Sequence, residues 1–223
     1  MPCAHCIDIE KEFDRRTAAR DLKRYRRRGP RKTTRMLLQA LRQRLPERFS
    51  HLDIGGGVGM IAAELTRAGA TDVTLVDASS AYLNAARENL NTINDAVTKT
   101  FRHGDFLEVE KDIPPADVVT LDRVICCYPH VRELVRASSD HARRLYGLVY
   151  PRKNPIMKLF VIVANLYLGL RKCAFRVYLH DPDMVQSLLA ETGWTPYYQS
   201  RTLIWRVEVY SRNDHQANTE ASK

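Results

Sequence analysis

The stretch Leu52-Asp53-Ile54-Gly55-Gly56-Gly57-Val58-Gly59 decides the reading of this sequence. An apolar run ends in an acid, a glycine-rich turn follows, and Met60, Ile61 and Leu65 then recur at helical spacing before Gly69. A strand, a tight turn and a helix fit that order, because glycines let the chain turn sharply and let a ligand approach bare backbone. The dinucleotide fingerprint G-x-G-x-x-G would need glycine at 60, where Met60 stands; the pattern here is G-x-G-x-G over 55, 57 and 59. Eighteen residues past Gly59, the run Val73-Thr74-Leu75-Val76-Asp77 again ends in an acid. In doubly wound sheets an acid so placed reaches a ribose diol.

Outward from this pair, β-branched runs near 48–54, 72–77, 98–102, 116–121 and 143–150 alternate with helical segments, one of them capped by Ser79 and carrying Leu83, Ala86 and Leu90. That alternation predicts a parallel sheet with helices on both faces. After Pro151, Pro155 opens a helix through about Lys172 that is apolar nearly all round, so burial or the roofing of a cavity is expected. Asp181-Pro182 starts a helix with Met184, Val185, Leu188 and Leu189, stopped by Gly193. Two closing strands, near 195–202 and 203–211, set Leu203, Trp205, Val207 and Val209 against Ile204, Arg206, Glu208 and Tyr210, the pattern of a half-buried hairpin. At the N-terminus, Ile9, Phe13, Ala18, Leu22 and Tyr25 mark one helix. Met36, Leu37, Ala40 and Leu41 mark a second, capped by Thr33 or Thr34, and Arg28-Gly29-Pro30 separates the two.

Composition narrows the class further. The chain has 223 residues, 44% hydrophobic and 27% charged, with 10 Gly and 10 Pro, which excludes collagenous, low-complexity and mostly disordered chains. A domain of this size buries about 70% of its unfolded surface and needs no disulfide or structural metal. Charge is uneven: of the net +9, residues 1–35 carry +7, from 12 basic and 5 acidic side chains. Either this arm meets an anionic partner (a carboxylated small molecule, RNA or an acidic membrane surface) or it is a solvated helix face. Five cysteines, with Cys126 and Cys127 adjacent in an apolar run, point to a reducing compartment. The start lacks the order of a signal peptide, and Ile156–Leu170, with Lys158 and Asn165, is about five residues short of the roughly 20 that span a bilayer. A cytoplasmic protein is expected. Cys3-x-x-Cys6 with His5 has the look of half a zinc site, but without a second pair no metal is expected.

The glycine turn with Asp53 and Asp77 resembles the class I S-adenosylmethionine-dependent methyltransferases, over roughly residues 33–210. The resemblance implies an α/β, Rossmann-like, doubly wound, mostly parallel seven-stranded sheet whose last strand is antiparallel, with N-terminal helices and a helical insertion after strand five. The organisation expected is a basic helical arm at 1–32, the methyltransferase domain at 33–211 and a polar tail at 212–223. S-adenosylmethionine is the implied cofactor and S-adenosylhomocysteine its product. Asp53, Ile54, Gly55, Gly56, Gly57 and Gly59 match the motif beside its methionine portion; Asp77 matches the acid on the ribose hydroxyls, and Ala78 lies beside the adenine. Gly104-Asp105-Phe106 resembles the segment whose Asp105 accepts from the adenine amino group while the Phe106 backbone contacts the ring. Leu121-Asp122-Arg123-Val124 matches the wall between cofactor and substrate, where Asp122 either faces the cofactor or pairs with Arg123.

Methyl transfer from a sulfonium is an in-line displacement, so positioning dominates, and a base is needed only if the acceptor must lose a proton. Tyr128 and His130, in Cys126-Cys127-Tyr128-Pro129-His130, either orient or deprotonate an acceptor or only line its pocket. Tyr25, before the Gly29-Pro30 break, is expected as a lid residue touching cofactor or substrate. Arg123, Tyr150, Arg152 and Tyr178 are the other substrate candidates. Phe160, Tyr167 and Leu168 with Arg152, Lys153, Arg176 and the N-terminal arginines suit a large, flat or hydrophobic acceptor bearing negative charge. The layout over 117–210 is also loosely similar to the magnesium-protoporphyrin carboxyl methyltransferases, which implies a porphyrin-like carboxylate. The expected function is O- or S-methylation of a small organic acceptor. Its rivals are an RNA methyltransferase using the basic arm, a module that binds S-adenosylmethionine without catalysis, and an enzyme whose Ile156–Leu170 helix touches a membrane surface. The Asp/Asn-Pro-Pro-aromatic motif of amino-group nucleic-acid methyltransferases is missing. Oligomeric state stays open.

Overall fold

The β-branched runs become the strands of one sheet in a computed structural model that describes residues 10 and 12–212. Cys3, His5, Cys6, Ile9 and nearly all of the polar tail lie outside the described residues. The strands are β1 (Phe49–Ile54), β2 (Ala70–Asp77), β3 (Thr98–His103), β4 (Ala116–Asp122), β5 (Ala142–Pro151), β6 (Thr195–Arg201) and β7 (Trp205–Ser211), in the spatial order β3-β2-β1-β4-β5-β7-β6. Strands β1 to β5 pair in parallel, and β7 lies antiparallel between β5 and β6. The order reverses between β1 and β4, and in doubly wound sheets the crevice at the carboxyl ends of such strands is where ligands bind.

The helices are α1 (Arg15–Arg28), α2 (Lys32–Arg42), α3 (Met60–Arg67), α4 (Ser80–Leu90), the single turn α5 (Phe106–Val109), α6 (Val131–Asp140), α7 (Pro155–Leu170) and α8 (Pro182–Glu191). Their starts follow capping chemistry. Asp14, Ser79 and Asn154 accept backbone N–H bonds from Thr17, Tyr82 and Met157, and prolines fill the first turns of α7 and α8. Successive residues of a strand face opposite sides, so Val118 joins a core with Leu37, Leu65 and Leu83 while Val119 joins a second with Leu134, Leu188 and Trp194. The sheet is thus covered on both faces.

Three expectations fail. The N-cap of α2 is Arg31, without a side-chain bond, and Thr33 and Thr34 lie inside the helix, buried, with their hydroxyls turned toward the end of β4. Helix α7 is neither buried nor a roof: only Met157 and Leu168 are buried, none of its residues lines the cavity, and it is α2 that packs over β5 and β7. The closing hairpin is not half-buried. Strand β7 is internal, so its second face meets a core, and Glu208 is fully buried there. Tyr150 and Tyr210 each donate a hydroxyl to Glu208 Oε2 at 2.8 Å, and Arg206 and Gln186 donate to Oε1. This occupies Tyr150, a residue expected at the substrate site. Replacing Glu208 by Leu strands both hydroxyls in the core, so urea unfolding should show a loss of about 3–5 kcal/mol, and Glu208→Gln, which keeps an acceptor, should lose less.

Candidate active site

The glycine turn is shaped by backbone that most residues avoid: Gly55 and Gly57 have φ of 61° and 56°. A Cβ on Gly55 would stand 2.5 Å from Val124 Cγ2, so the turn and the end of β4 close on each other without room for a methyl. The Gly57 N–H donates to Asp77 Oδ2 at 2.8 Å, and the Ser79 N–H to Oδ1 at 2.8 Å. Asp77 therefore holds the turn against the end of β2. Burial pushes its carboxyl up to about 6 in spite of those two donors.

Asp53 sits deeper, at 1% exposure. Thr120, its register partner on β4, donates its hydroxyl to Oδ1 at 2.7 Å. That proton is spent, so His51 Nε2, 2.8 Å from the same hydroxyl, is the donor, and burial holds the ring neutral with its pKa down to about 3. Asp53 Oδ2 is buried with no partner. Burial first, and then the nearby carboxylates of Asp122 and Asp77, push the Asp53 carboxyl up to about 7. A buried acceptor without a donor, at the base of a crevice, is suited to a cationic group.

A cavity of about 410 Å³ runs along the carboxyl ends of the strands, within the usual range for ligand pockets. Among the expected residues, Asp53, Ile54, Gly55, Gly56, Gly57, Asp77, Ala78, Asp105, Phe106, Asp122, Arg123 and Tyr128 line it. Gly59 lies behind the wall as the left-handed N-cap of α3. Tyr128 donates its hydroxyl to both oxygens of Asp105 at 2.7 Å, so it holds the acid. The other candidates are elsewhere. Tyr25 is buried under α1 and bonds to Glu64 and Arg67 instead of acting as a lid, since its helix packs its apolar face on α4. His130 is exposed at the start of α6, 3.9 Å from Glu133. Arg152 donates to the Thr202 carbonyl, and Tyr178 stacks on His180, tied by its N–H to the Cys126 carbonyl.

The sequence anticipates the other half of the cavity only as a group of N-terminal arginines, without saying which ones. Arg24 and Arg31 reach it from the N-terminal segment, with Asp21, Phe13, Tyr82 and Trp205. The basic run contained the arginines, but a run of charge does not say which of its members turn inward. Arg123 adopts φ of 64°, a strained conformation for a side chain, of the kind that collects at functional sites. Its guanidinium donates to Thr33 Oγ1 at 2.5 Å, lies 3.1 Å from Asp122 Oδ1 as a charge pair without hydrogen-bond alignment, and covers the Trp205 ring at 4.7 Å. Thr34 donates to Asp122 Oδ2 at 2.5 Å. Arg31 lies 3.5 Å from Asp21, which also accepts from Tyr82. Partial burial and the charges of Arg31, Arg123 and Arg28 depress the pKa of Arg24, whose Nε is buried without a partner. Three guanidiniums thus border one side of the cavity beside aromatic rings.

Residues 52–146 match the family described as Methyltransferase domain. Among solved structures, the chain is similar to magnesium protoporphyrin IX methyltransferase (ChlM) from Synechocystis PCC 6803 with bound SAH, at 19% identity and a TM-score of 0.65, covering 81% of this chain and 82% of that one. It is also similar to an O-methyltransferase family protein from Burkholderia thailandensis, at 16% identity and a TM-score of 0.67, covering 92% of this chain and 63% of that one. A third likeness, at 13% identity and a TM-score of 0.59, is to the O-methyltransferase family 2 protein from Planctomyces limnophilus in complex with apigenin, covering 83% and 63%. Over residues 52–146 the chain matches a methyltransferase domain, and it shares its fold with a methyltransferase that binds SAH, the product form of the cofactor S-adenosylmethionine. Its cleft fits that cofactor: the bare glycine turn admits a close ligand, the unpartnered Asp53 Oδ2 suits the amino group, and Asp77 keeps lone pairs for ribose hydroxyls.

Protonation of Asp53 generates a prediction. Its folded pKa of about 7 exceeds the ordinary 3.8, so between those values the folded state holds more protons and stability falls as pH rises. In the cofactor-free protein, Asp53→Asn should melt a few degrees above wild type at pH 8. Thermal scans should show that gap shrinking as pH drops from about 7 toward 4.

Proposed function

We propose that the protein methylates a carboxylate oxygen of a small apolar acceptor. The observation that carries this reading is the convergence of Arg24, Arg31 and Arg123 on the cavity side lined by Phe13, Val124 and Trp205. Guanidiniums match carboxylates in geometry and charge, while the rings and Val124 suit an apolar body. The titratable groups on that side are engaged: Asp122 by Thr34 and Arg123, Asp21 by Tyr82 and Arg31. A carboxylate acceptor is ionised at neutral pH and needs no base.

When bound, S-adenosylmethionine supplies an electrophilic methyl on a sulfonium that departs as a neutral thioether. The residues of this chain supply position. Asp53 and Asp77 would hold the cofactor, Asp105, itself held by Tyr128, would accept from its base, and the arginines would fix the acceptor oxygen in line with the sulfonium methyl, so that the C–O bond would form as the C–S bond breaks. Such alignment is worth up to about 7–11 kcal/mol of barrier. The similarity of the fold to O-methyltransferases supports oxygen as the target atom.

The test is transfer of labelled methyl from S-adenosylmethionine into cell extract, followed by mild base. A methyl ester releases its label as volatile methanol, so base-labile label in the organic-soluble fraction, absent with Asp77→Ala, is the expected result. Base-stable label, or label in RNA, would overturn the carboxylate reading. With the acceptor in hand, Arg31→Ala and Arg24→Ala should each raise KM by about tenfold or more, the worth of a hydrogen bond to a charged group. Cofactor Kd measured by calorimetry should stay within about twofold of wild type in both, because neither arginine is assigned to the cofactor half.

A further inference from the structure

Helix α7 has two apolar arcs. Met157 and Leu168 are buried against the protein, while Ile156, Leu159, Phe160, Ile162, Val163, Leu166, Tyr167 and Leu170 are between 56% and 79% exposed. At 100° per residue the eight outward side chains fall within an arc of about 160° running the full helix, about 24 Å. Leu203, itself exposed, extends the patch beside the helix start, where Asn154 Nδ2 donates to its carbonyl. Monomeric soluble proteins rarely leave so large an apolar surface open without a use for it.

The charge around this patch says what covers it. Residues 141–180 contain eight Arg and Lys and not one Asp or Glu. Lys153 and Lys158 stand at one end of the helix and Arg171 and Lys172 at the other, all exposed. Lys153 and Arg171 also pair with Asp181 and Glu12 of neighbouring segments, but Lys158 and Lys172 add charge that no acid of the segment offsets. A second copy of the chain would bring this cationic rim against its like. An anionic lipid surface offers an apolar layer bordered by phosphates, and long basic side chains can reach those phosphates while their stems lie in the apolar boundary. At 16 residues α7 is too short to cross, and no helix among the described residues is long and apolar enough to do so.

We propose that α7 is a membrane-surface helix, lying in the interface of a bilayer that carries anionic lipid, with its outward arc in the acyl boundary and Lys153, Lys158, Arg171 and Lys172 at the headgroups. The docking stands on α7 alone and does not depend on which acceptor is methylated. It also brings the cleft to the lipid. The segment after α7 returns over the cavity wall: the Phe175 ring meets Phe13, which lines the cavity, at 5.9 Å, and His180 bonds to the Ile125 carbonyl. A docked enzyme would hold its cavity beside the apolar layer, where a sparingly soluble acceptor is concentrated.

Flotation with vesicles tests the proposal. The full-length protein should float with phosphatidylcholine vesicles containing phosphatidylserine, and several-fold less with phosphatidylcholine alone or at high salt, where the electrostatic part is screened. The triple variant Leu159→Gln, Val163→Gln and Leu166→Gln should lose binding by about tenfold or more, since its outward arc loses most of its apolar area. Lys158→Gln with Lys172→Gln should reduce the preference for phosphatidylserine several-fold. Unchanged far-UV circular dichroism and cofactor Kd would show that the variants fold, as expected for exposed positions filled by a good helix former. Wild type that stays with the free protein in both vesicle types would overturn the proposal. So would a dimer in light scattering that the triple variant dissociates, because α7 would then be covered by a second copy.

Discussion

The hydrogen bond from the Gly57 amide to the Asp77 carboxylate is the constraint on which the site depends. It joins the turn after β1 to the end of β2, and it does so with a half-buried acid that also carries the Ser79 amide at the start of α4. One carboxylate thus sets the spacing between the first two strands at the crevice and the entry angle of the next helix. The left-handed glycines allow the amide to face that acid, and the contact of Gly55 with Val124 then brings the end of β4 into place.

Around this frame the charges are sorted by depth. The acids lie at the base: Asp53 held by Thr120, Asp77 by two amides, Asp105 by Tyr128. The guanidiniums lie on the other side, carried by α1, by the turn before α2 and by the strained end of β4. In the function proposed above, this division separates a place for a cofactor with cationic groups from a place for an anionic acceptor, and the low dielectric of the crevice would strengthen both attractions. Thr33 and Thr34 link the halves, one bonded to Arg123 and the other to Asp122. A shift of α2 would therefore be felt at both residues of the dividing wall.

The outer surface follows a different logic. Helix α7 is rich enough in apolar residues for a core, yet neither core includes it: α2 packs over β5 and β7 on one face, and Val185, Leu188 and Leu189 of α8 fill the core on the other. What the helix keeps is a strip of contact, an open apolar arc and a border of basic residues. The cleft and the segment that follows α7 meet through Phe13 and Phe175.

The sequence by itself determined the sheet. Alternating β-branched runs and helical periods reflect local periodicity, and Asp53, Asp77 and the glycines between them are local chemistry of strand ends, so strands β1 to β5 and the acidic, glycine-lined half of the crevice were legible within a few residues. Only the tertiary structure decided which of the scattered polar groups meet. Arg24 and Arg31 turn inward because α1 packs on α4 and the chain then breaks at Gly29; Tyr25 turns in with its hydroxyl held by Glu64 and Arg67 nearer the surface, and Tyr150 turns to Glu208 in the core. The burial of β7 and the exposure of α7 were likewise beyond periodicity. A hydrophobic pattern says that a face is apolar, but what covers it depends on which elements have already claimed the sheet, and that is a property of the whole packing.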